Sequence, residues 1–156
     1  MKYTTEKYPL VKATEGAAGF DLSANIDEPI LIYPGEIKKI PTGIRIQPDN
    51  FWLLFGRSSL GANNGVTLAN AVGVIDVDYR GEIIVALRNN GLFLVDMQVQ
   101  ASHVPFIVNP GERIAQLVSP FNEEVEQVNV LDETERGAGG FGSTGTDALE
   151  EGDANA

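Results

Sequence analysis

Two carboxylates and a tyrosine interrupt a hydrophobic run near the middle of the chain, where Asp76, Asp78 and Tyr79 lie within residues 73–83. An aspartate is ionised at neutral pH and can accept a proton from an attacking water molecule. A strand that ends in an acidic turn would give the same pattern, because Asp and Gly are common turn residues. On its own the segment is therefore compatible with a catalytic or a structural role.

Three other segments place polar side chains where small or apolar residues dominate. Asp21 lies between small and apolar residues, a composition more typical of a turn. Arg57, Ser58 and Ser59 offer guanidinium and hydroxyl donors to a phosphate, although the start of a capped helix looks similar. Gln116 interrupts a strand-like run, where a hydrogen-bonded core amide is the alternative.

The segment 136–145 is rich in glycine and also carries one Arg, one Phe and two hydroxyl side chains. These groups suit a segment that folds over an aromatic base and a phosphate chain, and a flexible linker is the alternative. The acidic residues that follow cannot bury apolar surface. We therefore expect one β domain at residues 1–135 and a mobile C-terminal arm with an acidic tail at residues 136–156.

The elements that must position these side chains are short strands. β-Branched runs alternate with turns rich in Gly, Pro and Asn, and this spacing predicts an all-β sandwich or barrel. Alternating polarity over residues 43–47 predicts a half-buried strand, whereas the apolar run 83–87 predicts a strand buried on both faces. Arg57 and the serines after it are expected to begin a short helix, whose free N–H groups would face an anion. The predicted strands are residues 30–33, 43–47, 51–55, 72–77, 83–87 and 113–118.

The composition restricts the classes of function. The chain has 156 residues, a formal net charge of −11, no cysteine and one histidine. We therefore expect a single domain without disulfides, thiolate chemistry or a multi-histidine metal site. The negative charge disfavours nucleic-acid polymers and membranes as partners, while a pocket of a few arginines and backbone N–H groups could still bind phosphate. The lack of a leader or membrane-spanning run predicts a cytoplasmic protein, or one in the host cytoplasm if a phage encodes it.

Taken together and in this order, the five segments resemble the five motifs of the trimeric deoxyuridine triphosphatase (dUTPase) family over roughly residues 17–145. The resemblance is most specific in residues 73–83, 111–118 and 136–145. It implies a jelly-roll-like, distorted β-barrel (the dUTPase-like β-clip) with a flexible glycine-rich C-terminal arm. It also implies a homotrimer with three active sites at subunit interfaces, each covered by an arm and partly built by other subunits.

The activity implied by this resemblance is Mg²⁺-dependent hydrolysis of dUTP to dUMP and pyrophosphate, which keeps uracil out of DNA and supplies dUMP for thymidylate synthesis. By its match to the family, Asp76 would activate the water that attacks the α-phosphorus. Mg²⁺ would be held mainly by the triphosphate oxygens, and Asp21 would reach it through water. The positions that match substrate contacts of the family are Arg57, Ser58, Ser59, Asn70, Gly73, Tyr79, Gln116, Arg136, Phe141, Gly142, Ser143 and Thr144.

Four of these matches imply how the base and the sugar would be recognised. Main-chain groups around Asn70 and Gly73 would meet N3–H and O4 of uracil, both of which cytosine reverses. Tyr79 would lie against the deoxyribose and leave no space for a 2′-hydroxyl. Phe141 would stack on the base, while the arm residues around it reach the distal phosphates.

Two departures from the family pattern bear on the function. Gly56 and Ser59 stand where the second motif usually has Pro and Gly, and Gly-Arg-Ser-Ser-Leu is also the style of the related dCTP deaminases. A deaminase, or a bifunctional deaminase, is therefore the alternative enzyme, although its required glutamate aligns with Ala86.

The second departure is an apparent insertion at residues 92–105, rich in Leu, Phe and Val. We expect an extra hairpin there, which could recruit another protein and add a regulatory binding role.

Overall fold

The computed structural model describes residues 1–95, 98–101, 104–121 and 123–139. These residues form fourteen short strands and one helix, so the predicted all-β class is confirmed. In chain order the elements are β1 (Lys2–Thr5), β2 (Phe20–Ser23), β3 (Ile30–Ile32), β4 (Ile37–Pro41), β5 (Ile44–Gln47), β6 (Trp52–Gly56), α1 (Ser58–Asn64), β7 (Val66–Leu68), β8 (Gly73–Ile75), β9 (Ile84–Asn89), β10 (Leu92–Val95), β11 (Gln98–Ala101), β12 (Phe106–Val108), β13 (Arg113–Val118) and β14 (Glu126–Gln127).

The candidate site residues are organised by a four-stranded antiparallel sheet with the order β2-β13-β6-β8. Gln116 on β13 lies opposite Asp21 on one side and opposite Phe55 on the other. On the next strand pair, Leu54 lies opposite Gly73. Three of the five sequence segments, those around Asp21, Gly73 and Gln116, therefore contribute strands to this one sheet. A fourth segment, which begins at Arg57, follows directly after β6.

The remaining described strands form two sheets of three, β4-β9-β7 and β14-β1-β5, and two pairs, β3-β12 and β10-β11. Among the described residues these pairings do not close into a continuous barrel, which is compatible with a jelly-roll-like arrangement. The β10-β11 pair confirms the extra hairpin predicted from the insertion. No helix among the described residues has the length and hydrophobicity that crossing a membrane requires.

The core lies between these sheets and explains why the apolar runs fold as they do. Ile83, Val85 and Leu87 are at most 1 % exposed, and on the other face Ala86 is buried while Ile84 is half-buried. The run predicted to be buried on both faces is thus buried at every position except Ile84. In β5 buried and half-buried residues alternate, as the polarity of the run predicts. Burial of apolar surface at about 25 cal/mol per Å² is the main term that stabilises such a core.

The helix and one strand differ in detail from expectation. The helix begins after Arg57, as predicted, but it continues to Asn64 and ends at Gly65, whose φ of 64° suits glycine. The interpretation of residues 18–24 as a turn, taken from composition alone, was wrong. Asp21 instead lies in β2, because pairing with β13 gives its backbone a regular ladder. The division between a domain at residues 1–135 and an arm stays a prediction.

Candidate active site

Asp76 is positioned by the end of β8. The strand finishes at Ile75, and the chain then turns back so that the amide of Tyr79 donates a hydrogen bond to the carbonyl of Asp76 at 3.2 Å. The Asp76 side chain is 48 % exposed, so its carboxylate is open to water and to ligands. The structure thus presents this carboxylate on a short, hydrogen-bonded turn.

Beside this turn lies a cavity of about 210 Å³. Asn70, Gly73 and Tyr79, three of the predicted substrate contacts, line it together with Ile83 and Arg136. The cavity therefore combines an apolar floor with a phenol and backbone groups. This is the composition expected of a pocket for a small organic ligand.

The turn that leads into the cavity is strained at Ala71. Its φ is 61°, which side chains other than glycine rarely adopt. The amide of Val72 donates to the carbonyl of Asn70 at 2.7 Å, the pattern of a tight three-residue turn. A Cβ at Gly73 would lie 3.1 Å from Cβ of Leu54, so little room exists there for a side chain. The turn keeps the backbone of this segment exposed to a ligand.

Arg136 reaches the same turn from the C-terminal segment. Its Nη1 donates to Oδ2 of Asp76 at 2.5 Å and to Oδ1 of Asp78 at 3.1 Å, and its guanidinium lies 5.7 Å from the Tyr79 ring centroid. The Asp76 carboxylate, as the main cause, raises the pKa of the guanidinium above its ordinary value. A cation is thus held between the two acids of the turn.

Further hydrogen bonds fasten this segment to the turn. Arg80 donates from Nε to the carbonyl of Asp132 at 2.8 Å and from its backbone amide to the carbonyl of Gly137 at 2.7 Å. Thr134 donates from its hydroxyl to the carbonyl of Asp78. The position of Arg136 is therefore set by several bonds besides its own ion pairs.

A second group of charges lies around Asp21, whose side chain is only 1 % exposed. Arg113 Nη1 donates to its Oδ2 at 2.9 Å, and Arg57 Nε lies 3.3 Å from its Oδ1. Arg57 also donates from Nη1 to the carbonyl of Arg113 at 3.1 Å. Oδ1 of Asp21 is buried without a hydrogen-bond partner among the described residues. The carboxylate thus orients two guanidinium groups, and Oδ1 has an ion-pair partner in Arg57 but no hydrogen bond among the described residues.

The other predicted phosphate contacts surround this group. Ser58 and Ser59 are exposed in the first turn of α1, directly after Arg57. Gln116 is half-buried opposite Asp21, and no hydrogen bond of its side chain is found within the described part of the chain. A satisfied core amide, the structural alternative for Gln116, is thus not what is observed.

The Asp76 turn and the Asp21 group are separated within one chain. Ile75 lies opposite Trp52, and the five positions from Trp52 to Arg57 span roughly 16 Å at about 3.3 Å per residue. Across the sheet, β2 is three strand spacings from β8, or about 14 Å at ~4.8 Å each. The structure therefore brings the predicted residues together as two clusters and not as one.

The four remaining arm positions lie outside the described residues: Phe141, Gly142, Ser143 and Thr144. Sequence analysis also missed Arg113 and Glu82. Arg113 stands only three residues before Gln116, and two polar side chains so close in an apolar strand could have marked it. Glu82 accepts hydrogen bonds from the backbone amides of Thr42 and Gly43 and, at its own carbonyl, from the Tyr79 hydroxyl. It gave no such signal, because these contacts depend on packing between segments distant in sequence.

No group of three or more His, Cys, Asp or Glu side chains in the described residues could hold a metal ion. An ion bound here would need most of its ligands from elsewhere, such as phosphate oxygens and water.

Comparison with known proteins gives consistent results. A family model described as dUTPase matches residues 7–145. A deoxyuridine 5'-triphosphate nucleotidohydrolase of Desulfitobacterium hafniense (strain DSM 10664 / DCB-2) is 49% identical over 138 residues, covering 85% of this chain and 84% of that protein. One from Ectopseudomonas mendocina (strain ymp) is 42% identical over 147 residues, covering 90% of each.

The fold agrees with a solved structure as well. The crystal structure of dUTPase from Streptococcus mutans superposes with a TM-score of 0.62 at 28% sequence identity, covering 80% of this chain and 98% of that one.

Proposed function

The chain belongs to the dUTPase family, and on this basis we propose that it hydrolyses dUTP to dUMP and pyrophosphate. Removal of dUTP keeps uracil out of DNA, and the product dUMP supplies thymidylate synthesis. The observation that carries the proposal for this chain is the joint location of Asp76 and Tyr79 on one turn beside the cavity of about 210 Å³. Release of pyrophosphate from dUTP by the purified protein tests it.

The cavity takes the nucleoside. Main-chain groups between Asn70 and Gly73 meet N3–H and O4 of uracil, and cytosine would leave these groups unpaired. A site built on such bonds rejects the wrong base by about 10⁴-fold or more. Tyr79 lies against the deoxyribose, where a 2′-hydroxyl would collide with the ring.

Asp76 accepts the proton of the water that attacks the α-phosphorus. Its carboxylate holds Arg136, a cation that also suits a triphosphate. The arrival of the phosphates offers Arg136 new partners, which frees Asp76 to bind water. Phe141 stacks on uracil, and Gly142, Ser143 and Thr144 complete the contacts of the arm with base and phosphates.

The Asp21 group binds the phosphates. Arg57 with Ser58, Ser59 and Gln116 supplies guanidinium, hydroxyl and amide donors, and phosphoryl transfer depends mainly on such charge neutralisation and positioning. Bound Mg²⁺ would neutralise phosphate charge as the reaction proceeds. Oδ1 of Asp21 would accept a hydrogen bond from a water molecule of that ion, because it is buried and, apart from its ion pair with Arg57, has no hydrogen-bond partner among the described residues.

A homotrimer with shared active sites explains why the two clusters are separate in one chain. The Asp21 group of one subunit then faces the Asp76 turn of another. Mixing two inactive variants, Asp76→Asn and Arg57→Ala, tests this arrangement. Random 1:1 trimers should regain about a quarter of wild-type activity, since a site needs one intact cluster from each of two subunits. Clusters that work within a single chain would give no recovery.

Deamination of dCTP is the alternative reaction. Ala86, buried in β9, offers no carboxylate at the position where a deaminase needs its glutamate. Ammonia release from dCTP would support that alternative. A regulatory partner for the β10-β11 hairpin remains a prediction. Activity that survives deletion of residues 92–105, together with no protein captured by the intact chain in pull-downs, would contradict it. A nucleotide pool in the cytoplasm is the proposed place of action.

A further inference from the structure

The Tyr79 ring packs directly on a glycine two residues later in the chain. A Cβ built on Gly81 would lie 2.4 Å from the phenol oxygen of Tyr79, 2.5 Å from Cζ and 2.7 Å from Cε2. These distances are far shorter than van der Waals contact. Gly81 is buried, and its φ lies outside the left-handed region that favours glycine. The space that the ring occupies, and not backbone conformation, therefore requires glycine at this position.

The hydroxyl of the same ring is held by Glu82, the residue after Gly81. The Tyr79 hydroxyl donates to the carbonyl of Glu82 at 2.8 Å. Burial is the largest cause that raises the pKa of the Tyr79 phenol above its ordinary value, so the hydroxyl keeps the proton that it donates. A buried glycine below the ring and a carbonyl at its tip thus define one ring position.

Glu82 itself is held by a segment about forty residues earlier in the chain. Its Oε1 accepts hydrogen bonds from the backbone amides of Thr42 at 3.0 Å and Gly43 at 2.7 Å, in the connection between β4 and β5. Thr42 is fully buried, and its hydroxyl donates to the carbonyl of Ile83 at 2.6 Å. The carbonyl that holds Tyr79 is therefore attached to a rigid part of the core.

We propose that Gly81 and Glu82 are positioning residues for sugar discrimination, which hold the Tyr79 ring as the wall that excludes a 2′-hydroxyl. This inference rests on the proposed function, since it concerns how a deoxynucleotide is told from a ribonucleotide. Neither residue touches the substrate, and both act only through the position of the ring.

The test is Gly81→Ala. The atoms that the new methyl group meets belong to the end of one side chain, so the ring moves while the fold is retained. We expect the ratio of kcat/KM for dUTP to kcat/KM for UTP to fall at least about tenfold. A single hydroxyl group that a site accepts or rejects changes discrimination between two substrates by at least this factor. An unchanged ratio in a folded Gly81→Ala protein would overturn the proposal.

A double-mutant cycle separates positioning from a general structural effect. In a Tyr79→Ala background, Gly81→Ala should cause no further loss of discrimination, because the ring through which it acts is gone. A loss of the same size in both backgrounds would contradict the proposal. For Glu82, the Gln variant keeps an acceptor oxygen for the two amides and should retain discrimination, whereas Glu82→Ala should lose it.

A measurement that needs no activity distinguishes failure of this inference from failure of the proposed function. Titration of ¹³Cζ-labelled tyrosine by NMR, with Tyr79→Phe to assign the signal, reports the Tyr79 pKa. Gly81→Ala should shift this pKa back toward the ordinary value as the ring moves into water. A Tyr79 signal that titrates as in the parent protein would refute the positioning role even if no nucleotide were hydrolysed. If the parent protein does not hydrolyse dUTP, the proposed function is refuted, and the positioning role of Gly81 is not.

Discussion

Nη1 of Arg136 lies 2.5 Å from Oδ2 of Asp76, across sixty positions of sequence. One residue is the proposed base for the attacking water, and the other is the proposed contact of the distal phosphates. Each is thus the partner of the other. Under the proposed function, the triphosphate exchanges this pair for a pair between Arg136 and phosphate.

Replacement of Asp76 by Asn should abolish turnover while dUTP still binds. The amide keeps the size of the side chain but cannot accept the proton of the water, a loss of about 10²–10⁴-fold in kcat. Single-turnover rates together with calorimetric binding of dUTP check both halves of the prediction. Near-normal turnover would show that another group activates the water.

Replacement of Arg136 by Gln should lower kcat/KM by about 100-fold, in the range found when one charged donor to a reacting group is removed. Thermal stability should change little, because half-exposed ion pairs contribute about 1 kcal/mol or less. Steady-state kinetics and thermal unfolding give the two quantities. Arg88→Gln, an exposed arginine at the end of β9, is the matched control and should leave kcat/KM unchanged. Equal losses in both variants would mean that only overall charge matters.

Asp21→Asn should destabilise the fold by about 1–3 kcal/mol, because the change leaves two guanidinium groups without their buried partner. Urea unfolding measures the change. Asp27→Asn is its control, since Asp27 is 97 % exposed in its pair with Lys7 and should matter little. The Asp21 variant should also need more Mg²⁺ for half-maximal activity. An unaltered Mg²⁺ requirement would remove Asp21 from the metal site.

Stability at alkaline pH should depend on Tyr79. Burial chiefly raises its pKa, with a further increase from Glu82 and opposing effects of Arg45 and Arg136. The unfolded chain therefore releases this proton first as the pH rises, so stability is complete below about pH 10 and declines above it. Urea unfolding between pH 8 and pH 11 should show a smaller decline for Tyr79→Phe than for the parent. Identical pH profiles would mean that the phenol is not buried in solution.

The β class, the buried run ending at Leu87 and the helix after Arg57 followed from the sequence because local polarity and turn residues determine them. The strand that contains Asp21 did not, since a short polar-apolar segment becomes a strand only through its pairing with β13. The roles of Arg113 and Glu82 depend likewise on contacts between residues distant in sequence. Motif order made Asp76 and Tyr79 candidate site residues, a prediction that stays open, but only the sheet register separates their turn from the Asp21 group.

The most direct test of the function is incubation of the purified protein with Mg²⁺ and each deoxynucleoside triphosphate in turn. Pyrophosphate, nucleoside monophosphate and ammonia are then assayed. The account predicts pyrophosphate and dUMP from dUTP alone. Ammonia from dCTP, or no product from any nucleotide, would contradict it.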